Sequence, residues 1–88
     1  MQFVTGMIVR SKQGHDKGQF YVVLTLNGRI AEVSNARSRT AASPKRKNCC
    51  HLAPTRTVLT AQQLDSDSEI QKVLAAFSER AAFPKEVI

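Results

Sequence analysis

The chain has 88 residues, a hydrophobic fraction of 42% and a formal net charge of +6. This length allows one small domain with an appended element, and so short a chain buries only about 60% of its unfolded surface. No apolar run approaches the roughly 20 residues of a membrane-spanning helix, and no signal peptide is recognisable, so a cytoplasmic protein is expected.

The positive charge is concentrated in the first part of the chain. Through Leu59 there are ten Lys or Arg and two acidic residues, a net charge of +8; the remainder has three basic and five acidic residues, a net charge of −2. A basic first part indicates a polyanionic partner, and nucleic acid is the commonest one. The alternative is a solvated basic surface that serves only solubility.

The first predicted element is a hairpin with a basic loop. Apolar residues at 7–9 and 20–24 predict two strands, and Gly14 and Gly18 bracket the loop between them. These glycines shape the loop because they supply positive φ without a clash. The loop tip is suited to binding phosphate, since it has only one acid, Asp16. Its basic residues are Lys12, His15 and Lys17.

A second hairpin is predicted to follow directly. Asn27-Gly28 is a strong signal for a two-residue turn, which would pair Leu24 with Ala31 and Val22 with Val33. Those four residues would share one face and form the core. Tyr21 and Val23 would lie on the opposite face, where Tyr21 either caps the edge of the fold or stacks on a base.

The segment after the second hairpin is predicted to contain two further strands. Residues 34–43 form a polar connection with Arg37 and Arg39, and a short fourth strand is expected at 39–42. Pro44 has no N–H to donate, so it marks an edge or the start of a strand. The basic run 45–47 comes next. Residues 48–52 are predicted as the last strand, with Cys50 and Leu52 facing the core and Pro54 ending it.

Cys49 and Cys50 are adjacent and are expected to be free thiols, since a disulfide between neighbours is strained and the expected compartment is reducing. Cysteines and a histidine in consecutive positions, with His51 next, do not match the spacing of zinc ligands. No metal site and no cofactor are therefore predicted.

These residues together resemble the KOW family. Lys12-x-Gly14-His15-Asp16-Lys17-Gly18 followed by Tyr21-Val22-Val23 resembles the KOW motif. Asn35-Ala36-Arg37-Ser38-Arg39 and Pro44-Lys45-Arg46-Lys47-Asn48-x-x-His51-Leu52 resemble the second half of short bacterial KOW-domain RNA-binding proteins, which are similar to KOW-type large-subunit ribosomal proteins of archaea and eukaryotes. Asn35-Ala36 stands where that family has an Asp-Gly turn. The resemblance covers residues 6–55.

The resemblance implies a mostly β fold: a small SH3-like five-stranded barrel over residues 1–55 that binds structured RNA, above all ribosomal RNA of the large subunit. Residues 56–65 are expected to be a linker, with Val58 and Leu59 packing back on the barrel. Ser66 and Glu69 form a capping box that begins an amphipathic C-terminal α-helix over 66–83. Its apolar stripe is Ile70, Val73, Leu74, Phe77 and Ala81.

No enzyme motif is present, and His15 beside Asp16 is interpreted as a surface histidine, so an enzyme is not predicted. The predicted RNA contacts are Lys12, Lys17, Arg39, Lys45, Arg46 and Lys47, with His15 and Arg37 as weaker candidates. Replacing Lys45 and Lys47 together by Ala is expected to reduce RNA affinity and leave folding intact. The alternative function is a protein-interaction module that docks on the transcription or translation machinery, with the apolar stripe of the helix as the partner face. A membrane partner is not expected, because the polar face of the helix is not basic.

Overall fold

The structure is a computed structural model that describes residues 2–82, with side chains described for residues 2–78. Its strands are β1 (Met7–Ser11), β2 (Phe20–Asn27), β3 (Ile30–Ser34), β4 (Lys45–Asn48) and β5 (Leu52–Val58). Its helices are α1 (Ala61–Leu64) and α2 (Asp67–Ala82), and a 3-10 turn at Cys49–His51 joins β4 to β5. The strands pair antiparallel in one sheet, in the order β4-β3-β2-β1-β5. The predicted mostly β fold with a C-terminal helix is confirmed.

The sheet is strongly curved, because only three residues join its two edge strands. In a flat sheet β4 and β5 would lie four strand spacings apart, about 19 Å. A 3-10 turn advances about 2 Å per residue, so the link from Asn48 to Leu52 spans only about 8 Å. Backbone hydrogen bonds hold this turn at both ends. The Cys49 N–H donates to the Arg29 carbonyl (2.7 Å), and the His51 carbonyl accepts from the Lys12 N–H (2.8 Å).

Apolar side chains are buried on both faces of the sheet. Successive residues of β1 and β2 point to opposite faces, so their continuous apolar runs supply two clusters. α2 lies over the outer face, and its apolar stripe docks within the chain. The inner cluster is Met7, Val9, Tyr21, Val23, Ala31, Val33 and Leu52. The outer cluster is Ile8, Val22, Ala36, Leu59, Ile70 and Leu74, with Leu24, Val73 and Phe77 packed against it.

The predicted register of the second hairpin was wrong, by two residues beside the turn and by one residue further along the strands. The turn is at Gly28-Arg29, so Asn27 pairs with Ile30 and Ala31 pairs with Leu26, not with Leu24. A bulge between Val23 and Thr25 then shifts the pairing by one residue, which moves the side chains of β2 before it to the other face. Val22 and Leu24 consequently pack in the outer cluster, and Val23 joins Ala31 and Val33 in the inner one. Tyr21 is only 2% exposed and packs in the inner cluster, so its ring does not stack on a base.

The last two strands also differ from the prediction. Residues 39–42 form turns and bends, and the fourth strand is Lys45–Asn48. The Asn48 side chain accepts the Cys50 N–H and caps the 3-10 turn, so 48–52 is not a continuous strand. Cys50 is exposed and Cys49 packs against the inner cluster, which reverses their predicted sides. Pro54 lies inside β5, because an edge strand tolerates a missing donor.

Part of the predicted linker, residues 56–65, forms regular secondary structure. β5 continues to Val58, and α1 has its own capping box between Thr60 and Gln63. Leu59 is buried as expected, whereas Val58 is 49% exposed. Cys49 and Cys50 are free thiols, as predicted.

The cap of the C-terminal helix is confirmed by its geometry. The Ser66 Oγ accepts the Glu69 N–H at 3.3 Å, and α2 begins at Asp67. The predicted last helical residue, 83, and the side chain of Ala81 lie outside the described residues. None of the helices that the structure describes is long and apolar enough to span a membrane.

Candidate nucleic-acid interface

The two basic segments lie at the same end of the sheet. In an antiparallel meander the β1–β2 loop (12–19) and the β3–β4 connection (35–44) emerge at one end, and the β2–β3 turn emerges at the other. We call this region the basic end. Its residues are Lys12, His15, Lys17, Arg37, Arg39 and Lys45.

The β1–β2 loop folds back on itself and turns Asp16 inward. The Ser11 N–H donates to the Gln19 carbonyl (2.9 Å), and the Gly18 N–H donates to the Ser11 carbonyl (2.8 Å). Gly14 and Gly18 adopt φ of 94° and 91°, a region that favours glycine, in agreement with their predicted loop-shaping role. Asp16 is left only 6% exposed, in the middle of a basic loop.

Four side chains bind the buried Asp16 carboxylate. Its Oδ1 accepts hydrogen bonds from the Ser11 hydroxyl and the Lys47 ammonium, both at 2.9 Å. Its Oδ2 accepts from the Tyr21 hydroxyl at 2.8 Å and pairs with the Lys45 ammonium at 3.0 Å. We call these five residues the Asp16 network. It connects the β1–β2 loop to β1, β2 and the edge strand β4.

The network keeps Asp16 charged. Burial by itself would raise the pKa of Asp16, but hydrogen bonds from Lys47, Lys45, Tyr21 and Ser11 outweigh it and hold the pKa of this carboxyl well below its usual range. Burial, together with the neighbouring carboxylate, raises the pKa of the Tyr21 hydroxyl. The network therefore contains one carboxylate and two ammonium groups at neutral pH.

Lys47 is bound within the protein and was wrongly predicted as a free phosphate contact. Its residue is 9% exposed, and its ammonium also donates to the Gln13 carbonyl at 2.7 Å. We therefore expect the double replacement of Lys45 and Lys47 by Ala to destabilise the fold, contrary to the prediction from sequence, because both ammonium groups neutralise a buried carboxylate. Lys45 is intermediate: its side chain is 28% exposed and pairs with Asp16.

The other basic residues at this end remain available to a ligand. Lys12, Lys17, Arg37 and Arg39 are exposed, as is His15. Across residues 2–78, ion pairs involve Lys45, Lys47 and Lys72, not these four cations. The Arg46 side chain lies on the opposite face of β4 from those of Lys45 and Lys47. Arg46 pairs with Glu32 of β3 in the sheet.

Arg10 belongs to the basic surface, although sequence reasoning did not select it. Arg10, Lys12 and Lys17 line a notch of about 300 Å³, together with Ser11 and Ala53. The Arg10 Nη2 lies 3.9 Å from the position that a Cβ would take on Gly18. The sequence did contain a signal for Arg10: a charged residue directly after the apolar run of β1 marks a strand position that reaches solvent.

No protein-family model matches the chain, and no curated protein has a significantly similar sequence. The segments whose sequence resembles the KOW family contribute the β1–β2 loop, part of the β3–β4 connection and β4, and so most residues of the basic end and of the Asp16 network.

Proposed function

We propose that this chain binds structured RNA through its basic end, as a KOW-type SH3-like barrel, and that the RNA is ribosomal RNA in a ribosome or a ribosome-associated complex. A non-enzymatic role is part of this proposal. Barrel closure is supported by the strand order and by the short turn that brings the edge strands β4 and β5 together. The KOW resemblance supports the choice of ribosomal RNA.

One observation carries the proposal: four exposed cations without an acidic partner in the described part of the chain lie on two connections at one end of the sheet. They are Lys12, Lys17, Arg37 and Arg39. The Asp16 network fixes the β1–β2 loop, which carries the two lysines. Asn35 fixes the β3–β4 connection, which carries the two arginines. The Asn35 Oδ1 accepts the N–H groups of Arg37 (2.9 Å) and Arg39 (3.0 Å). Cations on such a fixed frame are suited to the phosphates of a folded RNA.

The aromatic side chains favour folded RNA over a single strand. Proteins that bind single strands without sequence preference stack successive bases on exposed aromatic rings. Within residues 2–78, Tyr21 is buried and Phe20 packs on Phe77 with ring centroids 5.4 Å apart. The described residues therefore offer no row of exposed rings on which successive bases could stack, and phosphate contacts dominate.

The test compares two double variants that remove the same charge. Lys12→Gln with Lys17→Gln neutralises the basic end, and Arg29→Gln with Arg46→Gln neutralises two exposed cations elsewhere. Binding to a fragment of large-subunit ribosomal RNA is measured by fluorescence anisotropy over a range of salt concentrations. For about four phosphate contacts the wild-type slope of log K against log salt is expected to be roughly −3 to −4.

The first variant is expected to weaken binding and to make the slope shallower by about 2, one for each lost phosphate contact. The second is expected to stay close to wild type. Equal losses in both would show that binding depends on net charge and not on the basic end. A transfer RNA bound as tightly as the ribosomal fragment would contradict the choice of ribosomal RNA.

A further inference from the structure

A groove of about 480 Å³ runs between α2 and the basic end. The helix contributes residues 71, 74, 75 and 78, whose i, i+3, i+4, i+7 spacing places them on one face. The opposite wall is the end of the β1–β2 loop and the first residue of β2, at residues 18–20, and the β3–β4 connection at Asn35 and Arg37. A volume of this size lies in the range of about 300–1,000 Å³ that is typical of small-ligand pockets.

Among its mostly polar lining the groove has two large apolar side chains, Phe20 and Leu74, and its walls are held in place. Leu74 is 7% exposed, and the half-buried Phe20 ring is supported by the Phe77 ring at 5.4 Å. The Gln71 Nε2 donates to the Ala36 carbonyl at 2.8 Å, which fastens α2 to the β3–β4 connection. Gly18 lines the groove without a side chain, so the entrance at the β1–β2 loop is left open.

Cations border the groove on two sides. Arg37 is exposed and lines it directly. Lys17 lines the neighbouring notch with Arg10 and Lys12, and the Arg10 Nη2 lies 3.9 Å from the position that a Cβ would take on Gly18, which lines the groove. Two apolar side chains between two cationic borders complement a planar ring that has a phosphate on either side. That combination is a nucleotide within an RNA chain.

We infer that the groove takes one unpaired nucleotide of the bound RNA. The base lies on the floor formed by Phe20 and Leu74, and the flanking phosphates contact Lys17 and Arg37. This inference rests on the proposed RNA binding and adds a shape requirement to it: the preferred RNA has a bulged or looped-out residue beside a helix. Unstacked bases of this kind are what proteins read in folded RNA.

The probes are RNA hairpins that are identical except at one position. The parent is fully paired, and four derivatives have a single bulged A, C, G or U. The full chain is titrated with each at one salt concentration. At least one bulged hairpin is expected to bind about tenfold or more tightly than the parent, because stacking one base on an aromatic ring contributes a gain in affinity of this size.

Two variants, one helix position apart, separate the groove from the rest of the surface. Ala75→Phe fills the groove, whereas Ala76→Phe adds the same ring at an exposed position that does not line it. Circular dichroism and thermal melting establish that both remain folded. Ala75→Phe is expected to abolish the preference for the bulge and to retain the parent affinity. Ala76→Phe is expected to retain both.

Two results would overturn the inference: a wild-type protein that does not distinguish any bulged hairpin from the parent, or a folded Ala75→Phe variant that keeps the preference. In either case binding of the parent would leave the proposed RNA binding standing. If no hairpin binds even at low salt, the proposed function and the inference both fail.

Discussion

Asp16 shows how a single acid can organise a basic loop. A buried carboxylate is unfavourable unless it is hydrogen-bonded and paired, and here both of its oxygens have two partners. From the sequence, Asp16 only reduced the charge of the loop. The informative signal was the spacing of Lys45 and Lys47, since residues i and i+2 of a strand share a face and can approach one partner. It was not recognised, because the strand was predicted elsewhere.

Replacing Lys47 by Ala is expected to lower the free energy of unfolding by about 3 kcal/mol, because the substitution leaves a buried carboxylate with one of its two ammonium partners missing. Lys12→Ala is the matched control, since Lys12 is exposed, and it is expected to change stability by less than about 0.5 kcal/mol. Urea unfolding measures both. Equal stabilities of the two variants would mean that the Asp16 network does not stabilise the fold.

At the scale of elements, the sequence correctly predicted two features that depend on residues close together in the chain. The hairpin at β1–β2 and the Ser66 cap of α2 follow from nearby residues, and both were found at the expected places. The positions of β4 and β5 depend on partners distant in sequence, so residue pattern alone misplaced them. The unbroken apolar runs of β1 and β2 did contain one unused signal. Strands buried on both faces lack alternation, which requires a covering layer such as α2.

The close approach of the chain before β1 to the end of β5 is expected to depend on Gly6. Gly6 has φ of 89°, and a Cβ there would lie 2.6 Å from the Leu59 carbonyl oxygen. Gly28 also has positive φ, 62°, but a Cβ there would meet nothing within 4 Å. Both Ala variants incur a left-handed backbone penalty of about 1–2 kcal/mol, and only Gly6→Ala adds a steric clash.

Gly6→Ala is therefore expected to destabilise the chain by about 3 kcal/mol or more, against about 1 kcal/mol for Gly28→Ala. Thermal melting and urea unfolding of the two variants give the comparison. Two equal losses would indicate that backbone conformation alone, and not the contact with Leu59, makes Gly6 necessary.

At the scale of the whole molecule, composition predicts a class of ligand but not a site. The +8 charge through Leu59 favours a polyanionic partner, and this stays a prediction. The fold determines which cations are available to a ligand. Lys47 is buried, Arg46 lies on the opposite face of β4, and Arg10 lies beside Lys12 and Lys17 in the notch. The groove beside α2 could not be predicted, because its walls come from three segments that meet only in the folded chain.

At the scale of the whole molecule, the buried Asp16 carboxylate is expected to make the stability of the fold sensitive to acid. Asp16 joins the β1–β2 loop to β4, so its contacts help to bring an edge strand toward the other side of the sheet. Its pKa is depressed in the folded state, and its contribution to stability is therefore fully present above the unfolded pKa of about 4 and is lost as the pH falls below that value.

The matched variant is Asp16→Asn, which retains the shape of the side chain and removes its charge. It is expected to be less stable than wild type at pH 7, and the difference in unfolding free energy should shrink between about pH 4 and pH 2 by up to about 1.4 kcal/mol per pH unit. Urea unfolding at each pH measures this difference, and titration of the other carboxylates cancels because both proteins contain them. A constant difference across that range would show that Asp16 has the same pKa in the folded and unfolded chains, and that its pairing with Lys45 and Lys47 does not stabilise the fold.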